Sequence, residues 1–202
     1  MNCRGVNTRI KIAEQYDIKL IAHTRLLNGQ TKRSDAEAEL KDQYYVFQCT
    51  SKNDDKIVQS ILCGTGAAKH FLELMGEPDM PLFDPIRATG GSGNETGCNG
   101  TGTPKKQWND ESKQLYNAIQ WLIICWDIVP KGAIIDIKEK LEHYYYKEPF
   151  LSQIKAINTI ISKGKKTLSE MINELRATND IKEYNFDLLQ LRLAEENIKS
   201  NF

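Results

Sequence analysis

The stretch YYVFQCTSKNDDKIVQSILCGTGAAKHFLELMG, residues 44–76, decides the fold of the first half of the chain. Residues 44–50 are rich in aromatic and β-branched side chains, which favour a strand. Residues 51–56 supply turn-forming side chains, and residues 57–63 form a second apolar run. The pattern therefore predicts a β-hairpin.

A helix is predicted directly after this hairpin. Gly64 interrupts the apolar run, and residues 67–75 then carry apolar side chains at helical spacing. Gly76 is a typical helix-ending residue, and the first proline of the chain follows at Pro78. The sequence thus predicts a strand-to-helix corner at the CGTG segment.

The segments around the hairpin complete a small α+β domain over residues 1–88. Residues 10–16 and 36–42 have the spacing of short helices. Residues 18–23, with the sequence IKLIAH, fit either a strand or the end of a helix.

A glycine-rich segment, TGGSGNETGCNGTGT, covers residues 89–103 and has six glycines among its fifteen residues. It contains no large apolar side chain that would offset the entropy of ordering it. A glycine-rich ligand loop is the alternative, but no strand precedes the segment and no helix starts directly at its last glycine. We therefore predict a flexible linker.

Residues 104–202 predict helices only, packed as a mainly α-helical bundle. The first predicted helix runs from about residue 111 to 127, and the last from about residue 184 to 200. A third begins at the capping box of residues 167–170. Two more are predicted from apolar stripes, one formed by Ile134, Ile137, Leu141 and Tyr144 and the other by Phe150, Ile154, Ile157 and Ile161. The fold class predicted for the whole chain is α+β.

Composition and charge limit the function classes. Among the 202 residues, 27 Lys and Arg balance 27 Asp and Glu, so charge does not indicate nucleic-acid binding. No apolar run is long enough to span a bilayer, and the N-terminus lacks a secretory pattern. Five dispersed cysteines without a CxxC pair are typical of reduced cytosolic thiols, so we expect a cytoplasmic protein without a membrane partner.

The corner supplies the first candidate site: Gly64, Thr65, Gly66, Lys69 and His70. Free N–H groups at a helix N-terminus favour an anion, and Lys69 would lie one turn into the helix. Lys69 stands where a dinucleotide fingerprint has its third glycine, however, and the Walker A lysine is missing. The alternative is a structural corner with Gly64 or Gly66 in a left-handed conformation and Thr65 or Gly66 as the helix cap.

Metal binding and nucleophilic catalysis have weak support. Cys49 and Cys63 would face each other across the hairpin, with His70 and Cys98 as further ligands, but structural zinc sites use closely spaced ligand pairs. Buried free thiols explain these cysteines better, and we predict no metal and no cofactor. Cys63 and His70 would be about 10 Å apart along a helix, too far for a nucleophile and its base.

Aromatic residues of the helical half supply the second candidate site: Tyr144, Tyr145, Tyr146 and Phe150. Three consecutive helical residues span roughly 200°, so at least one tyrosine must face away from the core. Rim packing accounts for one or two of them. An exposed tyrosine near Phe150 would suit an anchor for a protein partner.

Two main functional hypotheses follow, and a third possibility is a nucleic-acid binder whose basic patch is formed by folding. The first is a non-enzymatic interaction or regulatory protein with a protein partner, based on the neutral charge, the lack of paired catalytic groups and the aromatic residues. The alternative is a domain or enzyme that binds a phosphate or nucleotide ligand at residues 64–70. The sequence specifies neither a biological process nor an oligomeric state.

Overall fold

The computed structural model describes residues 1–87, 106–126 and 132–202. The fold is α+β, as predicted, and these residues contain a three-stranded antiparallel sheet and seven helices. The predicted linker, residues 89–103, lies outside the described residues, so the linker and the domain boundaries drawn from it stay predictions.

The chain forms two compact units. One, the sheet unit, comprises Met1–Asp84 together with Ile123–Pro130. The other, the helical unit, comprises Pro85–Leu122 together with Lys131–Phe202.

The sheet unit contains the predicted hairpin. Its elements in chain order are α1 (Val6–Gln15), β1 (Tyr16–Arg25), β2 (Gln43–Ser51), β3 (Val58–Cys63) and α2 (Thr65–Met75). The strands pair antiparallel in the order β1-β2-β3. Residues 18–23, which the sequence left open between strand and helix, lie within β1. α2 ends at Gly76 in the left-handed conformation, with φ 66°, as its glycine predicts.

Buried aromatic side chains form the core between the sheet and its helices. Phe47 on β2 and Phe71 on α2 are both fully buried, and their ring centroids are 5.4 Å apart. Ile12 on α1 and Ile61 on β3 belong to the same cluster. Burial of this many large apolar groups is the main source of stability for the unit.

The helix predicted at residues 36–42 is wrong. The N–H of Ser34 donates to the carbonyl of Ala38 at 2.8 Å, and Glu37 has a φ of 64°, which a right-handed helix does not allow. The segment is a tight turn. The predicted helix at residues 10–16 is present but begins earlier, at Val6 after Gly5, whose φ is 88°.

The remaining helices are α3 (Asp110–Cys125), α4 (Ala133–His143), α5 (Leu151–Ser162), α6 (Leu168–Arg176) and α7 (Asp187–Ala194). α5 contacts both α4 and α7. The predicted capping box is present at α6, where the Glu170 side chain accepts from the Thr167 N–H at 2.7 Å and the Thr167 hydroxyl accepts from the Glu170 N–H at 3.3 Å.

The last helix is shorter than the predicted residues 184–200. It ends at Ala194, and Asn197 follows in the left-handed conformation with a φ of 56°. The N–H of Ile198 then donates to the carbonyl of Leu193 at 2.9 Å, which is the closure of a Schellman motif. Asparagine tolerates this conformation, so it stops the helix where apolar spacing alone would continue it.

Candidate functional site

The predicted corner is a tight strand-to-helix junction. α2 begins at Thr65, and Gly64 is its N-cap with extended backbone, φ −84° and ψ 174°. A Cβ atom at Gly64 would lie 3.2 Å from Cδ2 of Leu40, whereas a Cβ at Gly66 would meet nothing within 4 Å. The expected left-handed glycine and the expected cap at Thr65 or Gly66 are therefore wrong, because Gly64 is extended and is itself the cap. The absence of a side chain at Gly64 permits close packing against Leu40.

The polar groups of the corner point to different partners. The Thr65 hydroxyl accepts from Nε2 of Gln43 at 3.3 Å. Nδ1 of His70 accepts from Nε of Arg9, on α1, at 3.0 Å. Lys69 is exposed on α2 and has no ion pair with any carboxylate that the structure describes. Thr65 and His70 therefore each serve the packing of the sheet unit.

A buried histidine network, which the sequence did not predict, lies next to this corner. His23 on β1 stacks on Tyr45 with ring centroids 3.9 Å apart. Its Nε2 is 3.1 Å from Oε1 of Gln43, and its Nδ1 is 2.7 Å from the carbonyl of Met80. The Tyr45 hydroxyl donates to Asp79 at 3.0 Å. Both ring nitrogens of His23 have partners within the unit, so the network ties the segment after α2 to the sheet.

Cys3, Cys49 and Cys63 of the sheet unit are buried free thiols. Cys63 is paired in register with Tyr45, and Cys49 with Gln59, so the two thiols do not face each other across the hairpin as predicted. Burial raises the pKa of Cys3 to about 11 and that of Cys49 to about 12. Among the described residues, no three His, Cys, Asp or Glu side chains form a group that would hold a metal ion.

Tyr144, Tyr145 and Tyr146 lie in a turn, whereas the sequence pattern had predicted them on a helix. α4 ends at His143, and Tyr144–Tyr146 follow in the turn that leads to α5. Tyr144 exposes 47% of its surface, whereas Tyr145 and Tyr146 are half-buried. One tyrosine of the three therefore faces solvent.

Trp108 fixes the orientation of this turn. Its ring lies 5.5 Å from that of Tyr145, which in turn lies 5.5 Å from that of Tyr146. Nζ of Lys106 lies 3.7 Å from the Tyr146 ring centroid, a cation–π contact. The N–H of Asn109 donates to the Tyr145 carbonyl at 2.9 Å. These contacts hold two tyrosines inward, so that Tyr144 is directed outward.

A buried polar cluster anchors the end of α4 to α3. Lys138 is 2% exposed, and its Nζ lies 2.5 Å from Oε1 of Glu142. The Tyr116 hydroxyl donates to the same oxygen at 3.2 Å and accepts from Nε2 of Gln120 at 2.7 Å. Burial, helped by the charge of Glu142, raises the pKa of Tyr116. The turn after α4 thus starts from a fixed position.

Phe150 breaks a local rule of helix structure. It is the N-cap residue of α5, a position that prefers Ser, Thr, Asp or Asn, and 75% of its surface is exposed. Its ring has no acceptor for the helix N–H groups, and only Gln153 assists the cap, by accepting from the Phe150 N–H at 2.8 Å. The rest of the predicted stripe, Ile154, Ile157 and Ile161, is fully buried.

A pocket of about 370 Å³ is lined by the exposed aromatic residues Tyr144 and Phe150 and by other residues of α4 and of the α4–α5 connection. We call it the α4–α5 pocket. Its apolar lining comes from Leu141, Tyr144, Pro149 and Phe150. Its charged lining comes from Lys140, Lys147 and Glu148. Of the second predicted site, Tyr144 and Phe150 therefore line a cavity, whereas Tyr145 and Tyr146 do not.

Comparison with known proteins adds a family to this geometry. Residues 1–198 match the family described as uncharacterised conserved protein UCP028583. The chain belongs to this family. No curated protein and no solved structure matches the chain. In the part of the chain that the structure describes, no helix has both the length and the apolar character needed to cross a membrane.

Proposed function

We propose that this protein is a non-enzymatic interaction or regulatory module that binds a partner protein at the α4–α5 pocket. The observation that carries the proposal is Phe150, which is 75% exposed beside the pocket at a position where a phenylalanine does not help the helix. Replacing a favoured N-cap residue costs a helix about 1 kcal/mol. An exposed aromatic side chain at such a position is explained by contact with a partner.

Neighbouring features support a protein as the partner. Exposed aromatic side chains in pockets are the groups that most often carry binding energy in protein interfaces. Tyr144 and Phe150 have fixed surroundings, because Trp108 holds the turn and Gln153 caps α5. Preorganised anchors lose little conformational entropy when a partner binds.

Hydrogen bonds within the sheet unit also favour a binding site in the helical unit. The Thr65 hydroxyl and Nδ1 of His70 accept hydrogen bonds within the unit, and each ring nitrogen of His23 lies within 3.1 Å of an oxygen atom of the unit. Phosphate or nucleotide binding at residues 64–70 stays a prediction, and a ligand there would have to compete with these contacts.

We place the protein in the cytoplasm as part of this proposal. Cys3, Cys49 and Cys63 are free and buried, and a reducing compartment would keep them so. This placement agrees with the dispersed cysteine pattern.

Site-specific photocrosslinking in the source cells tests the proposal. A photoreactive phenylalanine analogue replaces Phe150 in one full-length variant and Leu191 in a second. Leu191 lies on α7 and is 61% exposed, so the second variant is the matched control. We expect one discrete crosslinked protein from position 150 and none of the same mass from position 191. Identical crosslinking patterns from both positions, or none from position 150, would contradict the proposal.

A further inference from the structure

We infer that the α4–α5 pocket receives a short extended segment of its partner in which a large apolar side chain stands beside a carboxylate. This inference rests on the proposed function and names the chemistry of the partner. It is derived from the charge and the shape of the lining.

The lining carries a local excess of positive charge. The lining contains two lysines, Lys140 and Lys147, and one carboxylate, Glu148, and neither lysine has an ion pair with a carboxylate in the described ranges. Glu142 is nearby in sequence, but Lys138 and Tyr116 already bind it. The chain as a whole has no net charge, so this excess belongs to the pocket.

The position of Lys147 favours an anion next to an aromatic group. Its Nζ lies 5.1 Å from the ring centroid of Tyr144 and 5.9 Å from that of Tyr146. A cation–π contact at an exposed site is weak and leaves the ammonium hydrogens available to an acceptor. A carboxylate of the partner would accept hydrogen bonds from Nζ of Lys147 while an apolar side chain packs on Tyr144.

The size of the pocket favours a short segment. Its volume of about 370 Å³ is at the small end of the range of ligand pockets, roughly 300–1,000 Å³. Such a volume suits one or two side chains of an extended peptide. The apolar groups Leu141, Pro149 and Phe150 would surround the large side chain, and the lysines would meet its acidic neighbour.

A carboxylate fits this lining better than a phosphate does. As far as the structure describes it, the lining has two lysines and no arginine, whereas phosphate sites commonly use arginine forks. Glu148 would also repel a doubly charged group more strongly than a singly charged one. The occupant is therefore a peptide that carries an acidic side chain next to a large apolar one.

Selection from a random dodecapeptide phage library on the immobilised full chain tests this inference. The same library is selected on four proteins: the wild type, Phe150→Ala, the double variant Lys140→Gln/Lys147→Gln, and the charge-matched control Lys163→Gln/Lys165→Gln. Melting temperatures equal to that of the wild type show that the variants are folded. Lys163 and Lys165 lie in the exposed α5–α6 turn, outside the pocket lining.

We expect the wild type and the control to enrich peptides with Asp or Glu next to an aromatic residue or leucine. The best synthetic peptide should lose about tenfold in affinity when its acid is changed to the amide, and about the same on the Lys140→Gln/Lys147→Gln variant. Its binding to the wild type should weaken as salt is raised, because salt screens exposed charges.

The outcomes separate the inference from the proposed function. Enriched peptides that lack an acid, or that bind the Lys140→Gln/Lys147→Gln variant as well as the wild type, would overturn the inference while the pocket remained a binding site. Peptides that bind Phe150→Ala as well as the wild type, or no enrichment on any protein, would overturn both.

Discussion

Phe71 and Phe150 illustrate how differently the two units use the same side chain. Phe71 is fully buried between α2 and the sheet, 5.4 Å from Phe47. Phe150 is 75% exposed beside the α4–α5 pocket. The first contributes to the stability of a core, and the second has no comparable role in packing. Exposure of a large aromatic group is therefore the reason why the proposed binding site is placed in the helical unit.

Polar groups follow the same contrast. In the sheet unit, His23, Gln43 and Thr65 form a chain of hydrogen bonds that ends within the unit. In the α4–α5 pocket, Lys140 and Lys147 have no carboxylate partner among the described residues. Polar groups that hydrogen-bond within their own unit are suited to a scaffold, and charges without an ion-pair partner are suited to recognition.

The sharpest test of this comparison is the pair Phe71→Ala and Phe150→Ala. Removing the buried ring of Phe71 should lower the free energy of unfolding by about 3–5 kcal/mol, because it leaves a cavity in the core. Removing the exposed ring of Phe150 should change it by less than about 0.5 kcal/mol. Urea unfolding followed by circular dichroism measures both, and a large loss for Phe150→Ala would show that its role is structural.

Alkaline pH should weaken the sheet unit. Burial raises the pKa of Cys49 from 9.0 to about 12 and, together with the hydrogen bond to Asp79, that of Tyr45 from 10.0 to about 12. Between about pH 9 and about pH 12 these groups keep their protons in the folded state and lose them in the unfolded state. The free energy of unfolding is therefore highest below about pH 9 and falls as the pH rises toward about 12.

Urea unfolding at about pH 8 and about pH 10.5, with reductant present, measures this decline. The Cys49→Ala variant should start from a lower stability, since it loses a buried sulfur, but should decline less steeply with pH. A slope equal to that of the wild type would exclude Cys49 as a source of the pH dependence.

Two glycines of α2 should respond to alanine in opposite directions. Gly76 has a φ of 66°, so Gly76→Ala should lower the free energy of unfolding by about 1 kcal/mol. Gly66 lies inside the helix with open space around it, so Gly66→Ala should raise it by about 0.5–1 kcal/mol. Thermal unfolding of both variants checks this, and a destabilised Gly66→Ala would mean that a group not seen in the structure occupies that space.

The smallest effect is expected from phosphate ligands. Since Thr65 and His70 are already engaged, inorganic phosphate and nucleotides should leave the melting temperature unchanged. Lys69→Ala is the matched variant. A phosphate-dependent increase that Lys69→Ala abolishes would restore the corner as a binding site and reverse the comparison between the units.

Local patterns in the sequence predicted the regular elements well. The hairpin followed from β-branched and aromatic runs on either side of a polar turn, and the capping box at Thr167 and Glu170 followed from four adjacent residues. The segment 36–42 failed because its apolar spacing resembles a helix, whereas Glu37 adopts a positive φ that no pattern of residue types specifies.

Long-range contacts explain what the sequence could not predict. His23 and Met80 are 57 residues apart, and only the pairing of the following segment with β1 brings them together. Phe150 fits the helical stripe of Ile154 in sequence, but it precedes the helix as the N-cap, where the spacing no longer determines direction. The tyrosines stay candidates, and a turn packed on Trp108, not the predicted helix, exposes Tyr144.

The central claim is tested most directly with a peptide selected on the wild type. Fluorescence anisotropy measures the dissociation constant of this peptide for the wild type, for Phe150→Ala and for Leu191→Ala. If the α4–α5 pocket is the recognition site, Phe150→Ala should weaken binding by about tenfold or more, and Leu191→Ala by less than about twofold. Equal affinities for Phe150→Ala and the wild type, with both proteins folded, would contradict the assignment of the pocket as the place where this protein meets its partner.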